Sequence, residues 1–229
     1  MILLARRTGE HRSPMSLLRP CANDPGRLRH LRIAVGIAAL VAPALHSATD
    51  VMEWLHGGFS TPQLWLNYIA FLPMPWLLLG LYAVHEPRPG IASLVGALLY
   101  GVAFTYFAHT TLYALSERVS TYDALWSHLG VLYTVHGAFM VLGGLMFAGS
   151  ALRQGWLPRG ALLLFAAGIV WNLVLALLPA PDILQTVGSA ARNLGLMAMG
   201  HAILFKRPRP PPGELPCPSS SRARSNPSE

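Results

Sequence analysis

Long apolar segments alternate with short polar ones along the middle of the chain. Six runs are each close to the roughly 20 residues that an α-helix needs to cross the hydrocarbon core of a bilayer. They cover residues 31–49, 64–84, 91–115, 129–152, 160–178 and 183–205. The pattern predicts an all-α fold, a polytopic transmembrane helix bundle of six spans within residues 31–205.

One permanent charge interrupts this pattern. Arg192 lies inside the sixth apolar run, whereas nearly every other basic residue lies outside such runs. A guanidinium at the centre of a membrane costs at least about 2.5–3.5 kcal/mol unless another group pairs with it or water reaches it. We therefore expect the fold to hold a compensating group near Arg192, and we expect any function to lie there.

The composition agrees with a membrane domain. The chain has 229 residues, of which 53% are hydrophobic and 12% are charged, whereas a typical soluble domain is about 25% charged. Outside the spans we expect only tails. Residues 1–30 form a basic N-terminal tail, with Met1 or Met15 as its start, and residues 206–229 form a disordered tail rich in Pro, Ser and Arg.

The distribution of Arg and Lys predicts the orientation. Fifteen of these residues fall on one side of the predicted spans, and one, Arg118, falls on the other. Because basic loops stay in the cytoplasm, we expect both termini there, which requires an even number of spans. Cys21 and Cys217 then lie in a reducing compartment, where we expect no disulfide. The net charge of +7 does not indicate nucleic-acid binding, because membrane topology explains where the basic residues lie.

Glycines and prolines predict how the spans are shaped and packed. Pro43 falls in the first span, and Pro73 and Pro75 fall in the second, where they kink a helix and free backbone carbonyls. Gly143 and Gly144 fall in the fourth span. We expect them to let two helix backbones approach closely.

Most spans carry polar side chains at a similar depth, in the half nearer the outer surface. In the first span, three such residues are spaced i, i+4 and i+7, so they share one helix face. Lipid cannot solvate these groups, so they should face the interior of the bundle or a water-filled cavity. We predict a polar ligand-binding pocket in the outer half, built from His46, Asp50, Glu53, His109, His136, Asn172 and Arg192.

Within this pocket, Asp50 or Glu53 is the natural partner of Arg192. Such a pair would make the first and last helices neighbours and would close the bundle. Plainer alternatives stay open. Arg192 could belong to a structural ion pair, the two carboxylates could be solvated beyond the end of the first helix, and Asn172 and the histidines could be contacts between helices.

The pocket leaves several chemistries open. A metal ion would suit neutral imidazoles and a carboxylate, here from His46, Asp50, His109 and His136, although no HExxH motif is present. A b-type haem would suit His46 facing either of the other two histidines. A membrane-embedded enzyme could use the carboxylate and the histidine as acid and base.

Binding or transport of a small anion through Arg192 is a further alternative, and a scaffold without pocket chemistry is the last. The cofactor and the reaction therefore stay unknown at this point. As partners we expect the lipid bilayer and a small-molecule ligand, with a homo-oligomer left open and no nucleic acid.

The second half of the chain carries a resemblance. Residues 141–204 contain GGLMFAGSALRQGWLPRGALLLFAAG and ARNLGLMAMGHAIL, and the turn GLYAVHEPRPG precedes the third span. With these turn and packing features the chain resembles small bacterial six-helix membrane proteins of uncharacterised families. The resemblance implies a six-helix bundle in a bacterial inner membrane, and it carries no catalytic residue to this chain.

Overall fold

The computed structural model describes residues 25–85, 89–178 and 181–205, and all regular structure within them is α-helical. This confirms the predicted all-α class. The predicted tails, with Cys21 and Cys217, lie outside the described residues except for positions 25–30. In chain order the helices are α1 (Pro25–His56), α2 (Thr61–Phe71), α3 (Met74–Ala83), α4 (Ile91–Ser116), α5 (Tyr122–Leu129), α6 (Val131–Gln154), α7 (Arg159–Ala176) and α8 (Asp182–Phe205).

Five helical segments of the described chain are long and apolar enough to cross a membrane. Many Leu, Ile, Val and Trp side chains on them are exposed, as expected of a bundle whose outer surface faces lipid rather than water. The chain is therefore consistent with an integral membrane protein of several spans. The segments are Leu28–His56, Thr61–Ala83, Ile91–Ser116, Val131–Gln154 and Arg159–Ala176.

The helices form a closed ring that follows chain order. α1 packs against α2 and α3, which pack against α4, and the ring continues through α6 and α7 to α8. The ring closes because α8 packs along α1, so the prediction that the first and last helices are neighbours is confirmed. Its centre is filled by large buried side chains, among them Tyr100, Phe104, Phe147, Phe165 and Ile169.

α5 and two loops cover one end of the ring, which we call the α5 end. The loop at residues 57–60 meets the loop at residues 117–121 where the amide of Phe59 donates to the carbonyl of Ser120 at 2.8 Å. The end where α1 begins and α8 ends is called the opposite end. A small apolar cluster lies beneath the cover, with Leu64, Ala114, Val119 and Leu125 at its centre.

Glycine allows α4 and α6 to touch along their backbones. A Cβ atom added at Gly143 would lie 2.7 Å from the carbonyl oxygen of Gly96 and 2.5 Å from the amide nitrogen of Tyr100. A Cβ atom at Gly144 would collide with the side chain of Ile169. The predicted packing role of Gly143 and Gly144 is therefore confirmed.

The first helix is longer than predicted at both ends. It starts at Pro25, inside the predicted tail at residues 1–30, and it continues to His56, seven residues beyond the predicted end of the span at Thr49. Its 32 residues correspond to about 48 Å at the usual helical rise. Pro43 lies within this continuous helix, because a proline removes only one intrahelical hydrogen bond and the neighbouring helices hold the rest in place.

One other predicted run is divided, and another is preceded by a short helix. α2 ends at Phe71 and α3 begins at Met74, so the helix breaks at Pro73, as its prolines predicted. The fourth run, predicted at residues 129–152, is the single helix α6, and Gly130, whose φ is 52°, separates its start at Val131 from the preceding short helix α5. A positive φ is open to glycine without the steric cost that other residues meet.

α8 is not among the five apolar segments, because polar side chains interrupt it, but the two polar side chains at its middle point inward. Arg192 and Asn193 are buried, whereas Val187 and Leu194 on the outer face are 52% and 54% exposed. The helix has 24 residues, as many as α6. A polar inner face with an apolar outer face is the pattern that surrounding lipid requires.

We expect Gly143→Ala to lower the free energy of unfolding by about 1–3 kcal/mol, because the new methyl group meets backbone atoms of α4 that cannot rotate away. Gly149→Ala on the same helix is the matched control, since no atom of a neighbouring helix lies within 4 Å of its added Cβ. The control should be neutral or gain up to about 1 kcal/mol from helix propensity. Thermal unfolding in detergent measures both, and equal midpoints would contradict the close approach of α4 and α6.

Candidate functional site

Arg192 lies inside the ring, on a face of α8 that meets α1. It is only 4% exposed. Its Nη2 lies 2.9 Å from Nε2 of His46, and its Nη1 donates to the sulfur of Met140 at 3.3 Å. The guanidinium carbon lies 5.7 Å from the centre of the Phe104 ring, within cation–π range. The strongest hydrogen-bond partner of this buried cation is therefore an imidazole.

The contact with Arg192 determines the protonation of His46. A guanidinium has only donors and keeps its charge, so Nε2 of His46 must accept and carries no hydrogen. The other ring nitrogen, Nδ1, lies 3.1 Å from Oδ1 of Asn67 and 3.5 Å from Oδ1 of Asp50. Because both oxygens are acceptors, Nδ1 carries the hydrogen and the imidazole is neutral.

The sequence of α1 explains why His46 reaches α8. Its buried residues recur every three or four positions and so share one face; they include Gly36, Ala39, Ala42, His46 and Thr49. Small residues on this face let α1 approach α8 closely. A second polar contact joins the same two helices, where the amide of Asn193 donates to the hydroxyl of Ser47 at 3.0 Å.

The expectation that Asp50 or Glu53 would pair directly with Arg192 is wrong. In the part of the chain that the structure describes, the ion pair of Asp50 is with His46 and none joins it to Arg192. His46 lies between the two charges because it is one turn closer to Arg192 along α1. Glu53 is about 10 Å further along the helix axis, where the hydroxyl of Tyr122 donates to it.

Glu53 and Tyr122 tie α5 to the end of α1. Tyr122 is 46% exposed, but its hydroxyl is turned inward toward the carboxylate. Burial of this hydroxyl, followed by the nearby charge of Glu53, raises the pKa of Tyr122 well above its ordinary value. The phenol therefore stays protonated and keeps its hydrogen bond. The ring of Phe59 packs edge to face on Tyr122, with centroids 4.8 Å apart.

The other two predicted histidines lie apart from Arg192. His136 stacks on the ring of Tyr106, with centroids 3.5 Å apart, and its Nδ1 donates to the carbonyl of Leu132 on its own helix at 2.6 Å. His109 is exposed on α4, in a groove beside the break between α2 and α3. Neither side chain contacts the guanidinium.

Asn172 is also separate from the contacts of Arg192, and it joins α7 to α8. In the orientation that satisfies its amide, the nitrogen donates to the carbonyl of Gln185 at 3.2 Å and the oxygen accepts from the hydroxyl of Ser189 at 3.1 Å. Asn172 is thus a contact between helices, which was the alternative to its predicted place in the pocket. Of the seven predicted pocket residues, the structure thus brings together His46, Asp50 and Arg192.

The metal and haem arrangements considered for these residues are not assembled. Residues 25–85, 89–178 and 181–205 contain no group of three or more His, Cys, Asp or Glu side chains placed to hold a metal ion. His109 is exposed and His136 faces Tyr106, so neither meets His46 across the bundle. Residues at the same depth can point to different sides of their helices, so similar depth does not determine which neighbouring helix a side chain faces.

Several buried polar atoms near Arg192 have no hydrogen-bond partner among the residues that the structure describes. Buried polar groups are usually paired, and each unpaired one costs about 1–3 kcal/mol. The local protein groups therefore leave hydrogen-bonding capacity unused, on the donor side as well as the acceptor side. These atoms are Nε of Arg192, the hydroxyl of Tyr100, Oδ1 of Asn193 and Oδ2 of Asp50.

A cavity of about 40 Å³ lies between this site and the α5 end. It has room for one or two molecules of the size of water. Asn67, which accepts from His46, is part of its wall, so the cavity brings the cover of the α5 end within one side chain of the imidazole. Its polar lining residues are Asn67, Thr110, Thr111, Tyr122 and Tyr133.

Sequence reasoning missed Asn67 and Tyr100 as members of this site. Asn67 carried a signal that could have identified it, because an amide in an apolar span needs polar partners inside the protein. Tyr100 carried no such signal, since a lone tyrosine in a span usually packs its ring among apolar side chains.

No family model matches the chain, and neither the curated proteins nor the solved structures compared with it give a match.

We expect His46→Leu to lower the free energy of unfolding by about 3–5 kcal/mol, because it leaves a buried guanidinium without its main acceptor. Asp50→Asn keeps an acceptor oxygen beside Nδ1 and should cost only about 1 kcal/mol. The double variant His46→Leu/Arg192→Met removes both partners and should recover most of the loss. Unfolding in detergent measures all three, and a larger loss for Asp50→Asn than for His46→Leu would contradict the assignment.

Proposed function

We propose that this chain is a six-span protein of a bacterial inner membrane that binds a small anion at Arg192, with both termini in the cytoplasm. The observation that carries the anion site is a buried guanidinium whose main partner is a neutral imidazole. A cation at membrane depth ordinarily pairs with an anion. Arg192 instead keeps its Nε unpaired, and it is close enough to Tyr100 to act electrostatically on the hydroxyl, which is also unpaired.

The surroundings favour a small and weakly hydrated anion. A ligand at Arg192 would accept from the guanidinium and from the Tyr100 hydroxyl, and charge-assisted hydrogen bonds of this kind are the strong ones. Phe104 and Met140 contribute apolar contact on the other sides. Because a buried anion gives up its water, a monovalent ion such as formate or nitrate fits better than a strongly hydrated divalent one.

The contacts of α8 support its role as the sixth span. It packs against both α1 and α7, and its polar residues Arg192 and Asn193 are buried. At the opposite end, Nη2 of Arg32 near the start of α1 donates to the carbonyl of Ile203 near the end of α8, at 3.2 Å. The first and last helices thus begin and end on the same side, as an even number of spans requires.

The positions of the basic residues support the orientation. Arg29, Arg32, Arg153 and Arg159 lie on the helix ends at the opposite end, whereas Arg118 lies in a loop at the α5 end. Cytoplasmic loops carry the excess of Arg and Lys. The α5 end is therefore assigned to the outer surface, which places the cavity between Arg192 and the outside.

Labelling of cysteines with a membrane-impermeant maleimide tests the topology. In spheroplasts, Cys21 and Cys217 should stay unlabelled, and both should react after the membrane is opened with detergent. With both replaced by serine, Ser127→Cys on the exposed face of α5 should react without detergent. If α8 did not cross, Cys217 would react in intact spheroplasts while Cys21 would not, and the six-span proposal would be wrong.

Thermal unfolding of the detergent-purified protein tests the anion site. We expect sodium formate to raise the unfolding midpoint in a saturable way, compared with sodium gluconate at equal ionic strength, since gluconate is too large for the site. A ligand at one hundred times its Kd adds about 2.7 kcal/mol to stability. For a chain of this length that corresponds to a shift of about 5–10 °C.

Two arginine variants distinguish a site from a general salt effect. Arg192→Gln should abolish the difference between formate and gluconate, because the charge that holds the anion is gone. Arg153→Gln, which removes an exposed arginine at the end of α6, should keep the full difference. No difference between the two salts in the unmodified protein, or an equal response in Arg192→Gln, would rule out the proposed site.

A further inference from the structure

We propose that the anion at Arg192 binds together with one proton, which His46 accepts on Nε2. This inference rests on the anion site proposed above and adds what must accompany the anion. It follows from the charges and the hydrogen-bond directions around His46, whose ring lies between the guanidinium of Arg192 and the carboxylate of Asp50.

The charges around His46 favour binding of the anion together with a proton. Arg192 contributes one positive charge, the carboxylate of Asp50 contributes one negative charge, and His46 is neutral because its Nε2 accepts from Arg192. A monovalent anion alone would leave a net negative charge in surroundings that solvate charge poorly. A proton on His46 restores neutrality, so the anion and the proton each raise the affinity for the other.

The exchange redirects one hydrogen bond. In the structure, Nη2 of Arg192 donates to Nε2 of His46 at 2.9 Å. The incoming anion accepts this N–H in place of the imidazole, which frees the lone pair of Nε2. Nε2 then takes up one proton, which the buffer in solution releases, and donates it in a hydrogen bond to the anion. Nδ1 keeps its hydrogen, which remains directed at Asn67 and Asp50.

The helices packed against His46 contribute no other group that would take this proton. α8 contributes Arg192, which keeps its charge at all ordinary pH values. α2 contributes Asn67 and the ring of Phe71, 4.8 Å from the imidazole, and neither titrates. The single tyrosine of α3, Tyr82, is at the opposite end.

The ionisable groups slightly further away are phenols and one carboxylate. Tyr100 on α4 lies near the guanidinium, and Tyr133 on α6 lies near Asp50 and Glu53. Phenols ordinarily lose their proton only near about pH 10. Glu53 lies two helical turns toward the α5 end and accepts from Tyr122. An imidazole is the side chain that ordinarily gains and loses a proton near neutral pH, so His46 is the acceptor.

The two sides of this site along the bundle differ, because a small partly polar cavity lies on one side and apolar core lies on the other. The cavity lined by Asn67 and Tyr122 connects the region beneath the α5 end with the partner of Nδ1 of His46. On the side of Arg192 toward the opposite end, Leu196 and Met199 of the same helix are fully buried in the apolar core. We therefore expect the anion and the proton to arrive from the α5 end.

Isothermal titration of the detergent-purified full chain with sodium formate measures this coupling. Titrations in buffers with different ionisation enthalpies give the number of protons taken up, and formate itself stays ionised at neutral pH. We expect close to one proton per formate bound between about pH 7 and pH 8.5, where a histidine is mostly neutral. In that range the affinity should fall tenfold for each unit of pH, as uptake of one proton requires.

Three variants separate the proposed role of His46 from other sources of protons. His46→Gln offers an acceptor that cannot be charged, so binding should be weaker and independent of pH. Asp50→Asn leaves the free site with one positive charge, so formate should bind without a proton and with an affinity that no longer falls with pH. His109→Gln, an exposed histidine on α4, is the matched control and should keep the uptake of one proton.

The outcomes distinguish this inference from the anion site on which it rests. Formate binding that needs Arg192 but takes up no proton in the unmodified protein would overturn the inference and leave the anion site standing. Uptake of one proton that persists in His46→Gln would also overturn it, even if the Asp50→Asn protein does not fold. Absence of formate binding in the unmodified protein would overturn both.

Discussion

A guanidinium among apolar helices has to meet an acceptor inside the protein, since lipid offers none. In this chain the acceptor is His46 on the first helix, and Arg192 is on the last. The hydrogen bond that satisfies the cation therefore also joins the two ends of the helix order into a ring. Small residues make the contact reachable, because Gly36 and Ala39 on α1 lie against Leu204 and Gly200 of α8 without a larger side chain between them. The fold and the candidate site depend on the same constraint.

The backbone that carries Arg192 is held from the other side by α7. A Cβ atom at Gly168 would lie 2.7 Å from the carbonyl oxygen of Gly188 and 2.8 Å from the Cα of Arg192. α7 can therefore approach α8 closely enough to direct the arginine toward the inside of the ring. The amide of Asn172 spans the same pair of helices at Ser189. Glycine contacts thus position a charged side chain that packing by larger residues would displace.

Hydrophobic patterning predicted the helices and the inward direction of the polar face of α8, because exclusion of polar groups from lipid acts on every span alike. The contact between the first and last helices was predicted from the charge of Arg192, and it is confirmed although His46, rather than Asp50 or Glu53, makes it. Hydrophobic patterning did not identify the partner of Arg192. That partner depends on how α1 is rotated about its axis and on where the helix ends, which is at His56, six residues past Asp50. The same patterning misplaced His109 and His136 for a related reason. α4 and α6 are apolar on nearly all sides, so their sequences do not show which face meets a neighbour.

The use of an imidazole rather than a carboxylate at Arg192 bears on what the site can do. A direct ion pair between an arginine and a carboxylate is neutral and tends to use two N–H groups at once, which would leave little for a ligand. In this protein the carboxylate of Asp50 is on the far nitrogen of His46, so the two charges are separated by a group that can gain a proton. The proposed site is then neutral in two states. The imidazole is neutral when the site is free, and it is protonated when an anion is bound. A purely structural pair needs only one such state, and the unpaired Nε of Arg192 would serve no purpose in it.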